Sequence, residues 1–283
     1  MNTTTARQEI ITELGVVPTI NPVEELQNRT SFLADYLATS GLKGYALGIS
    51  GGQDSILAGW IAQRAVEQAR MKGYNATFHA LLLPYGQQAD RNDALLACDF
   101  IQPDTIHDFD IQKATDAFAH TFKEAEGEPI KDFDKGNVKA RMRMIAHYAI
   151  AGANQLLVVG TDHAAEAVTG FFTKYGDGGA DILPLSGLTK RQGRQLLVEI
   201  GAPDIFITKP PTADLLDSRP GQADEYELGI SYDQIDDYLE GNSINEDMAT
   251  TLENRYRNTV HKRTVPVAYE QPVSVVGKSP AKD

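Results

Sequence analysis

The chain of 283 residues contains one cysteine, Cys98, so no disulfide can form within it. The lack of an internal disulfide suits a reducing compartment. Cys98 lies in an apolar helical pattern over residues 93–100, where a small buried thiol is expected more often than a nucleophile. A reaction that depends on a nucleophilic cysteine is therefore not expected.

The sequence also lacks long apolar runs and an excess of basic residues. No segment approaches the roughly 18 to 20 consecutive apolar residues of a membrane helix, and the polar start at Met1–Thr5 does not resemble a signal peptide. The net charge of −13 argues against a nucleic-acid-binding face, which requires basic residues. We therefore expect a cytoplasmic protein without membrane or nucleic-acid partners, whose anionic ligands bind at locally basic positions.

What the chain does contain is an alternation of short apolar runs with helical patterns. Buried strands are predicted at residues 45–49, 78–83 and 156–159, with a weaker candidate at 105–109. Such alternation is typical of parallel strands joined by right-handed helical crossovers. We predict an α/β fold with a doubly wound, mostly parallel sheet flanked by helices, in which ligands bind at the carboxyl ends of the strands.

The ends of the chain have helical patterns. Residues 22–38 carry apolar side chains at helical spacing, and helices are predicted at 233–240 and 245–261. In the segment 22–38, the apolar positions are Val23, Leu26, Leu33 and Leu37. These helices are expected to pack onto the core of the sheet.

Two segments, 84–90 and 209–229, are expected to be mobile loops, because they are rich in turn-forming residues and lack clear periodicity. For the longer segment, 209–229, the alternative is that it is disordered, but we favour a lid over the ligand. The length fits one α/β domain. We predict a single domain, 1–283, made of a helical region 1–40, an α/β core 41–208 and a lid with helices over 209–283.

The most informative segment is Ser50-Gly51-Gly52-Gln53-Asp54-Ser55, which lies between the first predicted strand and a helical pattern. Glycines allow positive φ and close approach of a ligand to the backbone, while the amino terminus of a helix attracts anions. A phosphate-binding loop is therefore predicted. It is not of the Walker type, because the lysine of that motif is missing. A glycine turn capped by Ser50 or Asp54 is the alternative that needs no ligand.

This hexapeptide resembles the pyrophosphate-binding loop of the ATP pyrophosphatase superfamily. Other segments narrow the resemblance, and their identity and order are similar to those of ammonia-dependent NAD synthetases: Leu83–Gly86, Gly160–Glu166, Gly170–Gly179, Thr189–Gly193, Pro211–Leu215 and His261–Arg263. The resemblance covers nearly the whole chain, except for its first few residues and the part after Thr264. Departures are small: Ile56 stands where a smaller polar residue is expected.

The resemblance implies a Rossmann-like fold of the adenine nucleotide alpha hydrolase type and a ligase that forms a C–N bond. Such a ligase amidates deamido-NAD with ammonia and ATP through an acyl-adenylate, releasing AMP and pyrophosphate. Free glutamine is not expected to replace ammonia. A homodimer is implied as well. The alternatives are another ATP pyrophosphatase ligase, such as a tRNA-modifying enzyme, and a non-catalytic adenine-nucleotide-binding module.

The resemblance also assigns roles to single residues. The expected ATP contacts are Gly48, Ile49, Ser50, Gly51, Gly52, Gln53, Asp54, Ser55, Thr161, Lys190 and Thr212. The expected contacts to deamido-NAD are Arg141, Phe171, Lys174, Asp181, His261 and Lys262. The expected catalytic residues are Asp54, Lys190 and Asp177, of which Asp177 is a guess as the group that polarises ammonia.

A magnesium site is expected at Asp54 and Glu166. Mg²⁺ keeps several waters and takes one or two protein carboxylates, and each acid follows a predicted strand. The alternative for the second acid is a favourable place in the first turn of a helix capped by Thr161 or Asp162. A zinc site is not expected, because His163 is not part of an H-E-x-x-H motif.

Arg141 is also singled out by its position in a helical pattern. With an apolar stripe at 138, 142, 145 and 149, Arg141 is predicted at the edge of the packed face and Arg143 well away from it. An arginine near packed surface requires an anion. That anion is either the substrate or a structural carboxylate.

Overall fold

The computed structural model describes residues 5–87, 90–212, 215–219 and 221–269. The strands are β1 (Gly44–Gly48), β2 (Thr77–Leu82), β3 (Thr105–Asp108) and β4 (Leu157–Val158). The helices are α1 (Ala6–Glu13), α2 (Pro22–Ser40), α3 (Gln53–Met71), α4 (Arg91–Ile101), α5 (Gln112–Glu126), α6 (Asp132–Asn154), α7 (Ala164–Thr169), α8 (Lys190–Glu199), α9 (Asp204–Thr208), α10 (Asp224–Leu228), α11 (Tyr232–Leu239), α12 (Glu246–Asn258) and α13 (Val260–Arg263).

The sheet is parallel throughout the described residues, with the strand order β3-β2-β1-β4. Gly44 pairs with Thr77 on one side of β1, and Tyr45 pairs with Leu157 on the other. A parallel bridge between Val159 and Ile182 continues the pairing beyond β4. The predicted fold class and all four predicted strands are confirmed, although β4 is shorter than expected.

Helices cover both faces of the sheet, as alternate residues of the first strand show. Tyr45 and Leu47 are buried in the cluster that contains residues of α2, α3 and α8. Ala46 is buried in a second cluster, which contains Ala146 of α6. Because side chains alternate between the faces of a strand, this burial makes the sheet doubly wound.

A third apolar cluster lies apart from the sheet. It joins Ile10 of α1, Val168 of α7, Ile235 of α11 and Leu252 of α12. The two ends of the chain thus pack around α7, which follows directly after β4 and Gly160–His163. This packing fixes the helix that carries Glu166.

Several predicted elements differ in detail from the structure. Val23 is 45% exposed, although the other three positions of its stripe are buried. The helix predicted over 245–261 is divided between α12 and α13, where the hydroxyl of Thr259 donates to the carbonyl of Arg255 (2.7 Å). Such a side-chain bond competes with regular helix pairing. The predicted loop 209–229 contains α10.

Ala213 and Asp214, which belong to one of the family-like segments, lie outside the described residues, as do Gln88 and Ala89, Pro220 and the tail 270–283. Searching the described part of the chain finds no helix with the length and apolar character of a membrane span.

Gly51 is required by its backbone and by its surroundings. Its φ is +77°, and a Cβ there would lie 2.8 Å from the backbone nitrogen of Ala94. Gly73 has a φ of +90°, but a Cβ there would meet nothing within 4 Å. The contact at Gly51 brings the loop after β1 against the start of α4.

We predict that Gly73→Ala lowers the free energy of unfolding by about 1–2 kcal/mol, the cost of a positive φ with a side chain. Gly51→Ala should lower it by about 1–3 kcal/mol more, because the backbone of α4 must also move. Urea unfolding of the two variants measures the difference. Equal losses would contradict the close packing at Gly51.

Candidate functional site

A cavity of about 310 Å³ lies at the carboxyl ends of the central strands. The segment after β1, the segment after β4, the start of α8 and the segment around Pro211 all line it. The residues that were expected to contact ATP and that line the cavity are Gly48, Ile49, Ser50, Gly52, Gln53, Asp54, Ser55, Thr161, Lys190 and Thr212. Gly51, in the same loop, packs against Asp93 and Ala94 instead.

The loop after β1 is held in shape by its two serines. The Ser55 hydroxyl accepts from the backbone nitrogen of Ser50 (3.3 Å) and donates to the carbonyl of Gly52 (3.0 Å). The Ser50 hydroxyl accepts from the backbone nitrogen of Gly52 (3.3 Å). Gly52 is the N-cap of α3, and no side chain of the described residues caps that helix. The amino terminus of α3 thus faces the cavity, where an anion would be stabilised.

Gln53 fastens this loop to α8. Its side-chain nitrogen donates to the carbonyl of Lys190 (3.0 Å), and the residue is 5% exposed. The side chain is therefore occupied by a structural contact, and the backbone is what Gln53 offers to a ligand.

The strongest interaction in the cavity is the ion pair between Asp54 and Lys190, whose Oδ2 and Nζ atoms are 2.6 Å apart. Burial lowers the pKa of Lys190, but the charges of Asp54 and Glu166 raise it above its usual value. Burial raises the pKa of Asp54, but Lys190 and His163 bring it below its usual range. Both side chains are charged at neutral pH as a result.

The start of α8 is fixed independently of this ion pair. Thr189 and Gln192 form a capping box. The buried carboxylate of Asp236, on α11, accepts from the backbone nitrogens of Lys190 (3.0 Å) and Arg191 (2.7 Å). Lys190 is therefore held in place by both its backbone and its ammonium group.

His163 and Glu166 approach Asp54 from α7. The His163 Nε2 atom lies 3.5 Å from Glu166 Oε1 and 3.7 Å from Asp54 Oδ1. One ligand atom from each residue lies within 4.8 Å of the others. Burial and the nearby Asp54 raise the pKa of Glu166 well above its usual value, whereas burial lowers the pKa of His163 to about 4. Two carboxyl groups and a neutral imidazole thus converge where a cation would be stabilised.

The residues expected to bind the second substrate also come together. Arg141 donates to the carbonyl of Lys174 through Nε and Nη2 (3.3 Å each), and Lys174 Nζ donates to the carbonyl of His261 (2.5 Å). Lys262 Nζ donates to the carbonyls of Gly170 (2.9 Å) and Phe172 (2.8 Å). The cationic side chains of Arg141, Lys174 and Lys262, with the backbone carbonyl of His261, form a basic end of the site that lies outside the lining of the cavity.

Phe171 and Asp177 line the cavity beside this basic end. The carboxylate of Asp177 accepts from the backbone nitrogen of Thr173 (2.9 Å). Burial raises its pKa, although the bond from Thr173 acts in the opposite direction.

Asp181 has structural partners. Its carboxylate accepts from the backbone nitrogen of Val158 in β4 (2.7 Å) and from the hydroxyl of Tyr148 (3.1 Å). A ligand would therefore share this carboxylate with the sheet.

The expected orientation of α6 was wrong. Arg141 is exposed, whereas Arg143 is half-buried, lines the cavity and donates to the carbonyl of Leu83 (3.1 Å). Ile145, in the predicted apolar stripe, is 54% exposed. The buried face instead includes Val138, Lys139, Ala140 and Ala146, because small residues let α6 pack closely on the sheet.

The described part of the segment 209–219 reaches over the cavity and is attached on two sides. Lys209 pairs with Asp93 of α4 (2.6 Å). The ammonium of Lys139, on α6, donates to the carbonyl of Leu215 (2.9 Å) and pairs with Asp217. These contacts place the segment where a lid was expected.

Other cavity residues were missed from the sequence: Arg143, His147, Lys209 and Asp224. His147 follows Arg143 by four positions, so the helical spacing that was applied to Arg141 could have found the pair. Burial lowers the pKa of His147 to about 4.

Comparisons with known proteins agree with this geometry. A family model described as NAD synthase matches residues 25–266. The NH(3)-dependent NAD(+) synthetase of Bacillus licheniformis is 59% identical over 264 residues, which are 93% of this chain and 97% of that protein.

Solved structures are similar as well. The crystal structure of NAD+ synthetase from Burkholderia pseudomallei has 47% identity and a TM-score of 0.80, and the match covers 94% of this chain and 100% of that chain. The structure of NMN synthetase from Francisella tularensis has 32% identity and a TM-score of 0.78, and the match covers 89% of this chain and 100% of that chain.

Asp162 gives the site a testable pH dependence. Its Oδ1 atom is buried without a hydrogen-bond partner among the described residues. Burial, with Asp177 and Asp54 nearby, raises its pKa to about 8. A carboxyl group with a raised pKa stabilises the fold fully below the unfolded-state pKa, and that contribution is lost as the pH rises through the folded-state value.

We therefore predict that the melting temperature of the metal-free protein falls between about pH 4 and 8, the unfolded-state and folded-state pKa values of Asp162. Asp162→Asn should reduce this fall, whereas Asp99→Asn, at an exposed position on α4, should leave it unchanged. Thermal unfolding followed by circular dichroism measures both. The same pH dependence in wild type and Asp162→Asn would contradict the assignment.

Proposed function

The chain belongs to the NAD synthase family, and we propose that it amidates deamido-NAD with ammonia, converting ATP to AMP and pyrophosphate. The observation that carries this proposal is the buried ion pair of Asp54 and Lys190 at the amino terminus of α3, with Glu166 beside it. A loop of backbone amides, a fixed ammonium and two carboxyl groups provide what the activation of a carboxylate by a nucleoside triphosphate requires.

Asp54 and Glu166 would hold the Mg²⁺ ion that accompanies ATP. The fit is supported by the donor set, because carboxylate oxygens are the protein ligands that Mg²⁺ prefers. It is also supported by electrostatics, since burial and the nearby Asp54 raise the pKa of Glu166 in the absence of a cation. When bound, Mg²⁺ would neutralise phosphate charge that opposes attack by a carboxylate.

In the first step a carboxylate oxygen of deamido-NAD attacks the α-phosphorus of ATP, and the bond from that phosphorus to the bridging oxygen of the β-phosphate breaks. The charge that develops on the leaving pyrophosphate would be stabilised by the amides of 50–55 and by the ammonium of Lys190. Gln53 and Asp236 support this step indirectly, because they fix the loop and the start of α8.

In the second step the nitrogen of ammonia attacks the acyl carbon, and the bond from that carbon to the oxygen of AMP breaks. We place the ammonia near Asp177, whose carboxyl group lines the cavity. Its role is to orient the nucleophile and accept a proton. The segment 209–219 would exclude water, which competes with ammonia for the activated carbonyl.

The basic end of the site is the proposed place of the dinucleotide. Arg141, Lys174, His261 and Lys262 would contact its phosphates and ribose, Phe171 would offer a ring face, and Asp181 would add an acceptor. Thr161 and Thr212 would contact ATP.

We predict that NAD and pyrophosphate form only when ATP, Mg²⁺, deamido-NAD and ammonium are all present. Glutamine should not replace ammonium, because Cys98 is 2% exposed and burial raises the pKa of its thiol to about 11.

Asp54→Asn should reduce pyrophosphate release at least about 100-fold, since the variant loses a metal ligand and the partner of Lys190; Asp99→Asn serves as control.

The measurement is pyrophosphate release together with NAD formation, with each component omitted in turn. Release without deamido-NAD would contradict the proposal, and ATP binding without turnover would favour a nucleotide-binding module. Nicotinate mononucleotide is tested as an alternative acceptor, in view of the similarity to an NMN synthetase. Preference for the mononucleotide would overturn the substrate assignment but not the activation chemistry.

A homodimer is also proposed. Apolar side chains are exposed next to the basic end of the site: Ile145 (54%) and Tyr148 (38%) on α6, Tyr175 (52%) and Leu183 (37%). The bond from Tyr148 to Asp181 and the bonds from Arg141 to Lys174 join α6 to this segment. Several large apolar side chains exposed in one region typically mark an interaction site.

We predict that Ile145→Asp shifts the protein from dimer to monomer in light scattering coupled to size-exclusion chromatography, because a charge would be buried at the interface. Val198→Asp, at a position on α8 that is 61% exposed, should have no such effect. A wild-type monomer at micromolar concentration, or an unchanged Ile145→Asp dimer, would count against this interface.

A further inference from the structure

The imidazole of His163 is buried but lacks a hydrogen-bond partner. The residue is 3% exposed, and neither ring nitrogen is hydrogen-bonded to any described residue. Buried polar groups in folded proteins nearly always have a partner. The ring also lies at an angle to Tyr232, with 6.5 Å between the ring centroids, so no stacking contact explains its position. A missing ligand is the simplest physical reason for this arrangement.

The geometry shows where that ligand would lie. Nε2 is 3.5 Å from Glu166 Oε1 and 3.7 Å from Asp54 Oδ1. Around a six-coordinate ion with bonds of about 2.1 Å, adjacent ligand atoms are about 3 Å apart and opposite ones about 4.2 Å. Both separations from Nε2 fall between these limits, and the ligand atoms of Asp54 and Glu166 lie within 4.8 Å of each other. One cation could therefore contact all three atoms after small side-chain movements.

The neighbouring groups leave these atoms available. Lys190 pairs with Oδ2 of Asp54, so the other oxygen is directed to His163. Glu166 lies in the first turn of α7 and His163 at its N-cap, where no side chain forms a capping bond. The helix thus presents a nitrogen and a carboxylate three residues apart, and α3 supplies the third group.

We propose that His163 Nε2 is a third protein ligand of the divalent cation at this site. The inference rests on the proposed function, which places the cation between Asp54 and Glu166. It adds a nitrogen donor, and imidazole suits first-row transition ions better than it suits Mg²⁺. The site should therefore bind Co²⁺ and Zn²⁺ more tightly than two carboxylates alone would.

The competing explanation is that His163 is protonated and forms ion pairs with the two carboxylates, as its distances to them permit. An imidazolium would repel an incoming cation, so removing it should strengthen metal binding. Direct ligation predicts the opposite. The sign of the change in affinity therefore separates the two explanations.

The test uses Mn²⁺ as the probe, bound with α,β-methylene ATP to the full-length protein. Pulsed electron paramagnetic resonance of protein labelled with ¹⁵N at histidine detects a coordinated imidazole and distinguishes it from adenine nitrogen. The variants are His163→Asn, Glu166→Gln and, as matched control, His107→Asn on β3. Asparagine is a favourable N-cap residue, so His163→Asn should keep α7 intact, which thermal unfolding checks.

We expect ¹⁵N coupling to Mn²⁺ in wild type and in His107→Asn, and its loss in His163→Asn. The affinity for Mn²⁺ should fall about tenfold in His163→Asn, and Co²⁺ should displace Mn²⁺ less effectively from that variant. If wild type binds Mn²⁺ in a manner that depends on Glu166 but shows no histidine coupling, this inference is overturned and the proposed function is kept. If Glu166→Gln leaves Mn²⁺ binding unchanged, or if no Mn²⁺ binds, this inference and the placement of the cation at Asp54 and Glu166 are both overturned, whereas the amidation reaction is tested separately by NAD formation.

Discussion

The ion pair between Asp54 and Lys190 is the interaction on which the rest of the site depends. Each partner is largely buried, and a buried charge without its partner is strongly destabilising. The pair connects the first turn of α3 to the first residue of α8. It therefore links two helix amino termini at the same edge of the sheet, and it keeps an ammonium group where phosphate charge would otherwise be unopposed.

More acidic than basic side chains lie around this ion pair. Asp162 and Glu166 are half-buried nearby, Asp177 lines the same cavity, and the pKa of each is raised. Such a concentration of carboxyl groups costs stability unless protons or cations bind there. The cost is consistent with a site whose resting form is incomplete without its ligands. The basic side chains of Arg141 and Lys262, which donate to the carbonyls of Lys174 and Gly170, lie outside the lining of the cavity.

Much of this could be predicted from the sequence, because the signals are local. The strands are short apolar runs, and the loop at 50–55 follows β1 directly, so its place at the carboxyl edge follows from the topology of parallel sheets. Glu166 was found in the same way, after β4. The division into regions at 1–40, 41–208 and 209–283 and the cytoplasmic location stay predictions.

What could not be predicted depends on how helices pack. Arg141 and Arg143 exchange their expected environments because the buried face of α6 includes Ala140 and Ala146, whereas Ile145 of the expected stripe is exposed. A zinc site at His163 was rejected from motif spacing, and the contact with Asp54, which is 109 positions earlier in the chain, was not predicted. The spacing of residues within a short motif cannot predict a contact between residues so far apart in the sequence. The division between α12 and α13 at Thr259 was likewise not predicted.

A crystal structure with α,β-methylene ATP and Mg²⁺ tests the central claim most directly. The account predicts the β- and γ-phosphates against the amides of 50–55, with the cation in contact with Asp54 and Glu166. A triphosphate bound elsewhere, with those amides unoccupied, would contradict it.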